Sequence, residues 1–197
     1  MNPWRDAPVL SGRHVTLRPL RADDAGPLRE VAVDSDLSRL FYTTASGLAD
    51  DPDAFVAGAL AGDADGRSLS FAVETPDGRV VGMTRFLRMN EAHRRVEVGG
   101  TFYARSVRRT GVNTEAKLLL LTHAFEVLGC QVVQIRTDWF NKASQAAIER
   151  LGAKRDGVLR SHQMLDERVR DLVVYSIVAG EWPGVRTNLN WLLEKPR

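Results

Sequence analysis

The spacing of apolar residues along the chain predicts alternating helices and strands. The clearest helix covers residues 113–129, whose leucines and Phe125 recur at helical spacing. A shorter helix is predicted over residues 141–151, with Asn141 as its N-cap and Gly152 just after its end. Both helices therefore have sequence signals for where they begin or end.

Two further helices are predicted nearer the start of the chain. One follows the acidic residues Asp23 and Asp24 and carries Leu28 among its apolar residues. The other covers residues 51–60, where Pro52 occupies a position that the first helical turn tolerates.

Runs rich in β-branched and apolar residues predict the strands. They cover residues 9–19, 69–74, 79–87, 95–104, 131–137, 153–164 and 168–178. Pro-Asp-Gly at residues 76–78 predicts a hairpin turn between the second and third runs. Gly99 and Gly100 indicate a bulge, or a close approach of another backbone or a ligand. Asp166 and Glu167 are predicted to form the turn between the last two strands.

This order of elements indicates an α+β domain around a mixed, mostly antiparallel sheet of about seven strands with about four helices. Parallel pairing is expected around the helix of residues 113–129. Residues 1–197 are interpreted as one domain, with the tail from about residue 181 packed back on it. Trp191, Leu192 and Leu193 could instead form a self-association surface, which leaves a homodimer open.

Composition and charge narrow the class of protein. The 197 residues are 44% hydrophobic and carry a net charge of +2, which is ordinary for a folded chain. Basic residues are spread along the chain, so no nucleic acid partner is predicted. The densest basic stretch, residues 160–170, also holds acidic residues and is interpreted as a solvated hairpin.

The sequence favours a cytoplasmic protein. Cys130 is the single cysteine, which excludes an internal disulfide, and its apolar surroundings favour burial over catalysis. The first ten residues lack the apolar run of a signal peptide, and no stretch reaches membrane-spanning length. The four histidines lack ligand spacing, so no metal is expected. Patterns of serine hydrolases and nucleoside triphosphatases are also missing.

The start of the clearest helix is a candidate anion site. Arg108 and Arg109 precede Gly111 in a basic turn that leads directly into the helix. Unpaired amides and the positive end of the helix dipole converge at such a start, and the arginines can add charge-assisted contacts. A tight turn with solvated arginines explains the same residues equally well.

The start of the next helix adds a second polar group to the same edge of the predicted sheet. Asn141 can cap this helix, and Ser144 follows within its first turn. Two polar helix starts at one edge favour a ligand site there.

Together these motifs resemble the GCN5-related N-acetyltransferase superfamily, and within it the branch like the ribosomal-protein alanine acetyltransferases. The resemblance spans most of the chain. It rests on Arg-x-x-Gly-x-Asn at residues 108–113 with Thr-Glu-Ala after it, Asn-x-x-Ser at residues 141–144, Leu-Gly-Ala at 151–153, Gly-Val-Leu-Arg at 157–160, Arg-Asp at 170–171 and Glu-Trp-Pro at 181–183.

The resemblance implies a set of residues that bind acetyl-CoA. The amides of Gly111, Val112, Asn113 and Thr114 would hold the pyrophosphate, helped by Arg108 and Arg109. The strand that ends near Phe102 and Tyr103 would splay from its neighbour and bind pantetheine like an added strand. Asn141 would donate a hydrogen bond to the pantetheine arm, and Ser144 would lie near the thioester sulfur.

The same resemblance implies direct attack of an amine on the thioester in a ternary complex. Glu97 is the candidate base, although an ordinary exposed strand carboxylate is an alternative interpretation. The superfamily often has a tyrosine as acid where this chain has Ile148, so Ser144 is the substitute candidate, or the thiolate leaves unprotonated. Asn113 stands where glycine or alanine is commoner, and a left-handed conformation would accommodate it.

The acceptor is less well defined by the sequence. A protein N-terminal α-amino group fits the branch, while free amino acids, polyamines and antibiotic amines stay open, and the donor could be larger than acetyl. Residues 35–51 and 165–168 are the predicted acceptor loops. A noncatalytic coenzyme A sensor or interaction module is the alternative from another functional class.

Overall fold

The fold is seen in a computed structural model that describes residues 2–165 and 167–195. Within these residues one sheet holds eight strands in the order β1-β2-β3-β4-β5-β6-β8-β7. The strands are β1 Leu10–Ser11, β2 Thr16–Pro19, β3 Ser68–Glu74, β4 Val80–Asn90, β5 Arg95–Tyr103, β6 Val132–Asp138, β7 Lys154–Leu165 and β8 Arg168–Val178. All neighbours are antiparallel except β5 and β6, so the predicted mixed, mostly antiparallel sheet is confirmed.

Five α-helices flank this sheet in the described part of the chain. They are α1 Ala25–Asp34, α2 Pro52–Ala64, α3 Val112–Thr122, α4 Lys142–Leu151 and α5 Trp182–Glu194. Asp51 caps α2 and Asn141 caps α4 through side-chain oxygens that accept amides of the first turn. Gly152 ends α4 in the left-handed conformation, as the sequence predicted.

The helices cover opposite faces of the sheet. Successive side chains of a strand point to opposite faces. In β4, Arg85 donates a hydrogen bond to the carbonyl of Ala59 in α2, while the Phe86 ring lies against His123 at the end of α3. Thus α2 and α3 lie on different faces, and the apolar core fills both layers.

The prediction of one continuous strand over residues 9–19 is wrong. It divides into β1 and β2, which pair antiparallel with Leu10 opposite Leu17. Residues 12–15 form the turn between them, and the carboxylate of Glu115 accepts hydrogen bonds from three amides of this turn. This division accounts for the eighth strand.

Three further predictions concern a helix, the tail and the last turn. The helix predicted over residues 113–129 is α3 followed by a π-helical turn, His123–Val127. The tail is a full helix, α5, which packs on α3 and leaves Trp191 54% exposed while Leu192 contacts the core. The predicted turn at residues 166–167 falls in part on Asp166, which lies outside the described residues.

Candidate active site

A cavity of about 650 Å³ opens where β5 and β6 separate. These parallel strands pair only from Arg95 to Glu97 on β5, opposite residues 132–134 of β6. Beyond Glu97 their facing edges diverge, and both strands continue to line the cavity. Backbone donors and acceptors along the diverging edges are therefore open to an extended ligand.

A bulge in β5 shapes the floor of this cavity. Arg85 of β4 lies opposite Gly99, whereas Met83 lies opposite Phe102, so β5 holds one residue more than β4 between these pairs. Gly100 takes a positive φ of 56° there, and a Cβ atom at this position would lie 3.0 Å from the Arg85 side chain. The bulge predicted from Gly99 and Gly100 is present.

The N-terminus of α3 forms one end of the cavity. Glu115 is the first residue whose amide donates to a helical carbonyl, that of Gly111, so the amides of Val112, Asn113 and Thr114 come before the first intrahelical bond. Arg108 and Asn113 line the cavity at this end. Anions are favoured at such a helix start.

Two residues fix the path of the chain into α3. A Cβ atom at Gly111 would lie 2.7 Å from the His14 ring, so glycine is required by a close approach. Arg109 has a positive φ of 60°, whereas Asn113 is an ordinary helical residue. Asn113 therefore does not use the left-handed conformation that could have accommodated it, because the reversal of the chain occurs before the helix begins.

Glu115 was not predicted as a site residue, although it connects the start of α3 to the turn between β1 and β2. Its buried carboxylate accepts hydrogen bonds from the amides of Arg13, His14 and Val15 at 2.9, 2.5 and 2.9 Å. The bonds tie the β1–β2 turn, and with it His14, to the first turn of α3. No local pattern could identify these partners, which lie about a hundred residues earlier in the chain.

The start of α4 lines the middle of the cavity. Asn141 Oδ1 accepts the Ser144 amide at 3.0 Å, which leaves the Asn141 NH₂ group to donate elsewhere. Asn141, Ser144 and Ile148 all line the cavity, and Ile148 is buried. The apolar Ile148 side chain offers no proton to a ligand there.

The predicted cofactor residues fall into two groups. Phe102, Tyr103, Arg108, Asn113, Asn141 and Ser144 line the cavity. Arg109, Gly111, Val112 and Thr114 are not among its lining residues. Val112 and Thr114 are buried in the first turn of α3, and Thr114 Oγ1 accepts a hydrogen bond from Arg150 of α4. The Thr114 amide can contribute to a ligand site, whereas the Val112 amide donates a hydrogen bond to Thr110 Oγ1 at 3.3 Å.

The Tyr103 hydroxyl is a buried polar group that the described residues leave without a hydrogen-bond partner. Burial raises the pKa of this phenol, so the hydroxyl stays protonated and can donate. Other atoms of Tyr103 line the cavity, since the hydroxyl oxygen itself is buried.

Lys117 is a second residue that sequence analysis did not single out. Its ammonium group donates to Thr101 Oγ1 at 2.7 Å and to Thr84 Oγ1 at 3.3 Å, and it has no carboxylate partner among the described residues. Burial lowers the pKa of Lys117 to about 7. Lys117 lines the cavity from the α3 side of the sheet.

Glu97 is only 4% exposed, so it is not an ordinary exposed carboxylate. Its Oε2 lies 2.8 Å from Arg88 Nη1 and 3.1 Å from Arg136 Nε. Burial raises the pKa of Glu97 even though both arginines oppose that change. Glu97 is not among the residues that line the cavity, whereas Arg136 is.

Asp138 forms a similar cluster at the end of β6. Its Oδ2 accepts hydrogen bonds from Arg168 at 2.8 Å and Arg170 at 2.9 Å, and its Oδ1 accepts the Phe140 amide. Burial opposes ionisation, but these hydrogen bonds outweigh it and lower the pKa of Asp138. The cluster fixes the turn into α4 and brings Arg170 to the cavity.

The far end of the cavity is formed by the loop between α1 and α2. Residues 42–45 of this loop and Phe55 of α2 line it, together with Arg85, Arg136 and Arg170. The predicted acceptor loop at residues 35–51 thus contributes to the cavity. Arg168 lies against Phe41 in the same loop.

The described residues hold neither a cluster suited to a metal ion nor a helix suited to a membrane. Histidine, cysteine and carboxylate side chains nowhere cluster in threes that could hold a metal ion. None of the helices in residues 2–165 and 167–195 has the length and apolar character to cross a membrane.

A cleft between two separating parallel strands, with a helix N-terminus at one end, is the arrangement that the sequence resemblance implied. The family model described as "Acetyltransferase (GNAT) domain" matches residues 14–154, which is more than half of the chain. The chain therefore belongs to the GNAT acetyltransferase family, whose members transfer acetyl groups from acetyl-CoA.

Two individual proteins are similar to this chain over different shares of their length. A Bacillus subtilis (strain 168) protein named "Putative ribosomal N-acetyltransferase YdaF" is 32% identical over 108 residues, which cover 55% of this chain and 58% of that protein. The match thus spans less than two thirds of this relative. The crystal structure of a "putative acetyltransferase" from T. thermophilus is 33% identical, with a TM-score of 0.84 over 96% of this chain and 99% of the other.

A more distant structure supports the fold alone. Mycobacterium smegmatis RimJ in complex with CoA-disulfide is 24% identical, with a TM-score of 0.77 over 96% of each chain.

Proposed function

We propose that this chain transfers the acetyl group of acetyl-CoA to an α-amino group by direct attack in a ternary complex. One observation carries the proposal. A single cavity joins the N-terminus of α3, the open edges of β5 and β6, and the loop between α1 and α2. Donor and acceptor can therefore meet inside one enclosed space, which direct transfer requires.

The donor fits the end of the cavity near α3. The amides of Gly111, Val112, Asn113 and Thr114 would hold the pyrophosphate, with charge-assisted contacts from Arg108 and Arg109. Pantetheine would lie along the open edge of β5 that ends at Phe102 and Tyr103.

The first turn of α4 would orient the reacting thioester. The NH₂ group of Asn141 would donate to the pantetheine arm, because Asn141 Oδ1 is already used to cap α4. Ser144, one turn into the helix, is the candidate to protonate the sulfur. A backbone amide of the open β5 edge would stabilise the oxyanion.

An α-amino acceptor fits the charges around the cavity. Arg85, Arg108, Arg136, Arg170 and Lys117 line it, and no described carboxylate does. An ammonium group is disfavoured there, and an α-amino group with a pKa of about 7.7–8.0 loses its proton more easily than a lysine side chain with a pKa of about 10.4. The name of the B. subtilis relative agrees with a ribosomal protein as acceptor.

The proton of the acceptor leaves through water in this proposal. Glu97 was the candidate base, but its carboxylate is held between Arg88 and Arg136 and does not line the cavity. We therefore assign Glu97 a positioning role toward Arg136. A free α-amine needs no strong base near neutral pH, because an appreciable fraction of it is already neutral.

The test is a thiol-release assay with acetyl-CoA against peptides with free N-termini and small amines. Replacing Asn141→Ala and Ser144→Ala together should lower kcat/KM about tenfold or more, since each lost hydrogen bond contributes about 1 kcal/mol. A matched control is Ser11→Ala with Asn190→Ala, both at exposed positions outside the cavity lining.

Two results would contradict the proposal. Acetyl-CoA that binds in calorimetry without thiol release from any amine would indicate a coenzyme A sensor. An equal loss of activity in the control variant would show that the effect of Asn141 and Ser144 is not specific to the cavity.

A further inference from the structure

The acceptor end of the cavity carries more positive than negative charge. Glu97 is shared between Arg88 and Arg136, and Asp138 is shared between Arg168 and Arg170. Each cluster combines one buried carboxylate with two guanidinium groups. Each cluster therefore carries an excess of one positive charge, and one arginine of each, Arg136 and Arg170, lines the cavity.

Arg85 adds a third guanidinium with a weak counter-charge. The Asp63 carboxylate lies 3.9 Å from it and already accepts hydrogen bonds from Ser68 and Ser70. Arg85 Nη2 donates only to the neutral oxygens of Ser68 and Ala59 among the described residues. Arg85 thus has no hydrogen-bonded carboxylate among the described residues, and it lines the cavity.

Three buried donors at this end have no hydrogen-bond partner in the described part of the chain. They are the Nε atoms of Arg85, Arg136 and Arg168. Arg136 Nε is near Glu97 but is not aligned with it for a hydrogen bond. Buried donors in proteins are nearly always satisfied by protein groups or ordered water, so exceptions call for an explanation. Arg85 and Arg136 both line the cavity.

From this arrangement we infer that the acceptor presents a carboxylate group close to the amine that is acetylated. A carboxylate could pair with the arginines that line the cavity, Arg85, Arg136 and Arg170, and would offset their excess positive charge. Polyamines and polycationic amines are disfavoured by the same charges. The inference rests on the proposed function, since it specifies the acceptor of that reaction.

The decisive experiment compares peptides that differ in one charge. Four-residue peptides with free N-terminal alanine, an amidated C-terminus and aspartate, asparagine or lysine at the second position are assayed with the wild-type protein. The aspartate peptide should have a kcat/KM about tenfold or more above the asparagine peptide, mainly through KM, and the lysine peptide should be poorest. Free aspartate and free asparagine are assayed as acceptors in a second set of reactions. These reactions show whether the enzyme prefers a carboxylate in a peptide or one in a free amino acid.

Arg85→Met assigns the preference to a residue. It should remove most of the advantage that the aspartate peptide has over the asparagine peptide. Arg85→Lys should restore part of the advantage, and Arg79→Met, at an exposed turn, is the matched control. Calorimetry with acetyl-CoA should give an unchanged Kd in all three variants.

The outcomes separate failure of the inference from failure of the proposed function. Equal kcat/KM for the three peptides in an active enzyme overturns the inference and leaves acetyl transfer intact. No acetylation of any amine, peptide or small, contradicts the proposed function itself. Should Arg85→Met fail to fold, the peptide comparison with the wild-type protein still decides the question.

Discussion

The two ends of the cavity are built in different ways. The donor end consists largely of backbone, the first turns of α3 and α4 and the open edge of β5, with Arg108 and Asn141 added. The acceptor end consists of side chains from five elements, with arginines around two shared carboxylates. A backbone site suits one constant ligand, whereas a site of side chains can be changed residue by residue.

The largest expected effect is a loss of stability when Glu115, which supports the donor end, is replaced. Glu115→Ala leaves three amides of the β1–β2 turn without their acceptor, and each loss is worth about 1 kcal/mol or more. The free energy of unfolding in urea should fall by about 3 kcal/mol, and the affinity for acetyl-CoA should fall with it. Glu30→Ala, at an exposed position of α1, is the control and should change stability by less than about 0.5 kcal/mol. A Glu115→Ala protein as stable as this control would show that the turn does not depend on the carboxylate.

Lys117 also lines the cavity, and its effect on the stability of the folded protein should depend on pH. Its pKa of about 7 in the folded protein is below the ordinary value of 10.5, so folding penalises the charged form. The penalty is full below about pH 7 and disappears as pH rises to about 10.5.

Lys117→Met removes this penalty. The variant should be more stable than the wild type by about 1–3 kcal/mol at pH 6, since each unit of pKa shift is worth about 1.4 kcal/mol and the lost threonine hydrogen bonds offset part of it. The gain should shrink toward pH 10. Thermal unfolding across this range is the measurement, with the exposed Lys154→Met as control. A gain in stability that is independent of pH would contradict the conclusion that the Lys117 ammonium group is buried without a counter-charge.

The smallest of the three effects is the change in kinetics expected when Glu97, near the acceptor end, is replaced. Glu97→Gln keeps the shape of the side chain but removes the charge between Arg88 and Arg136. If Glu97 positions Arg136, kcat should fall less than about tenfold and the effect should appear mainly in the acceptor KM. A fall in kcat of about a hundredfold or more, with loss of the acidic limb of the pH profile, would instead identify Glu97 as the general base.

The sequence predicted the donor end better than the acceptor end for a physical reason. Helix caps and glycine turns are local, so Asn141, Gly152 and the start of α3 could be recognised from neighbouring residues. The bulge in β5 was likewise indicated by the neighbouring glycines Gly99 and Gly100.

Contacts between distant segments could not be predicted in this way. The three amides bound by Glu115 are about a hundred residues away, and the same contact divides the predicted first strand in two. The partners of Lys117 and Arg85 likewise come from other elements. The left-handed residue proved to be Arg109 rather than Asn113, because only the assembled turn shows where the chain reverses.

The most direct test of the whole account is a crystal structure of the protein with coenzyme A. We expect the pyrophosphate within hydrogen-bond distance of the amides of residues 112–114 and of Arg108, the pantetheine along β5 beside Asn141, and the thiol facing the arginines of the acceptor end. Coenzyme A bound elsewhere, or with its thiol directed away from Arg85 and Arg136, would contradict the account.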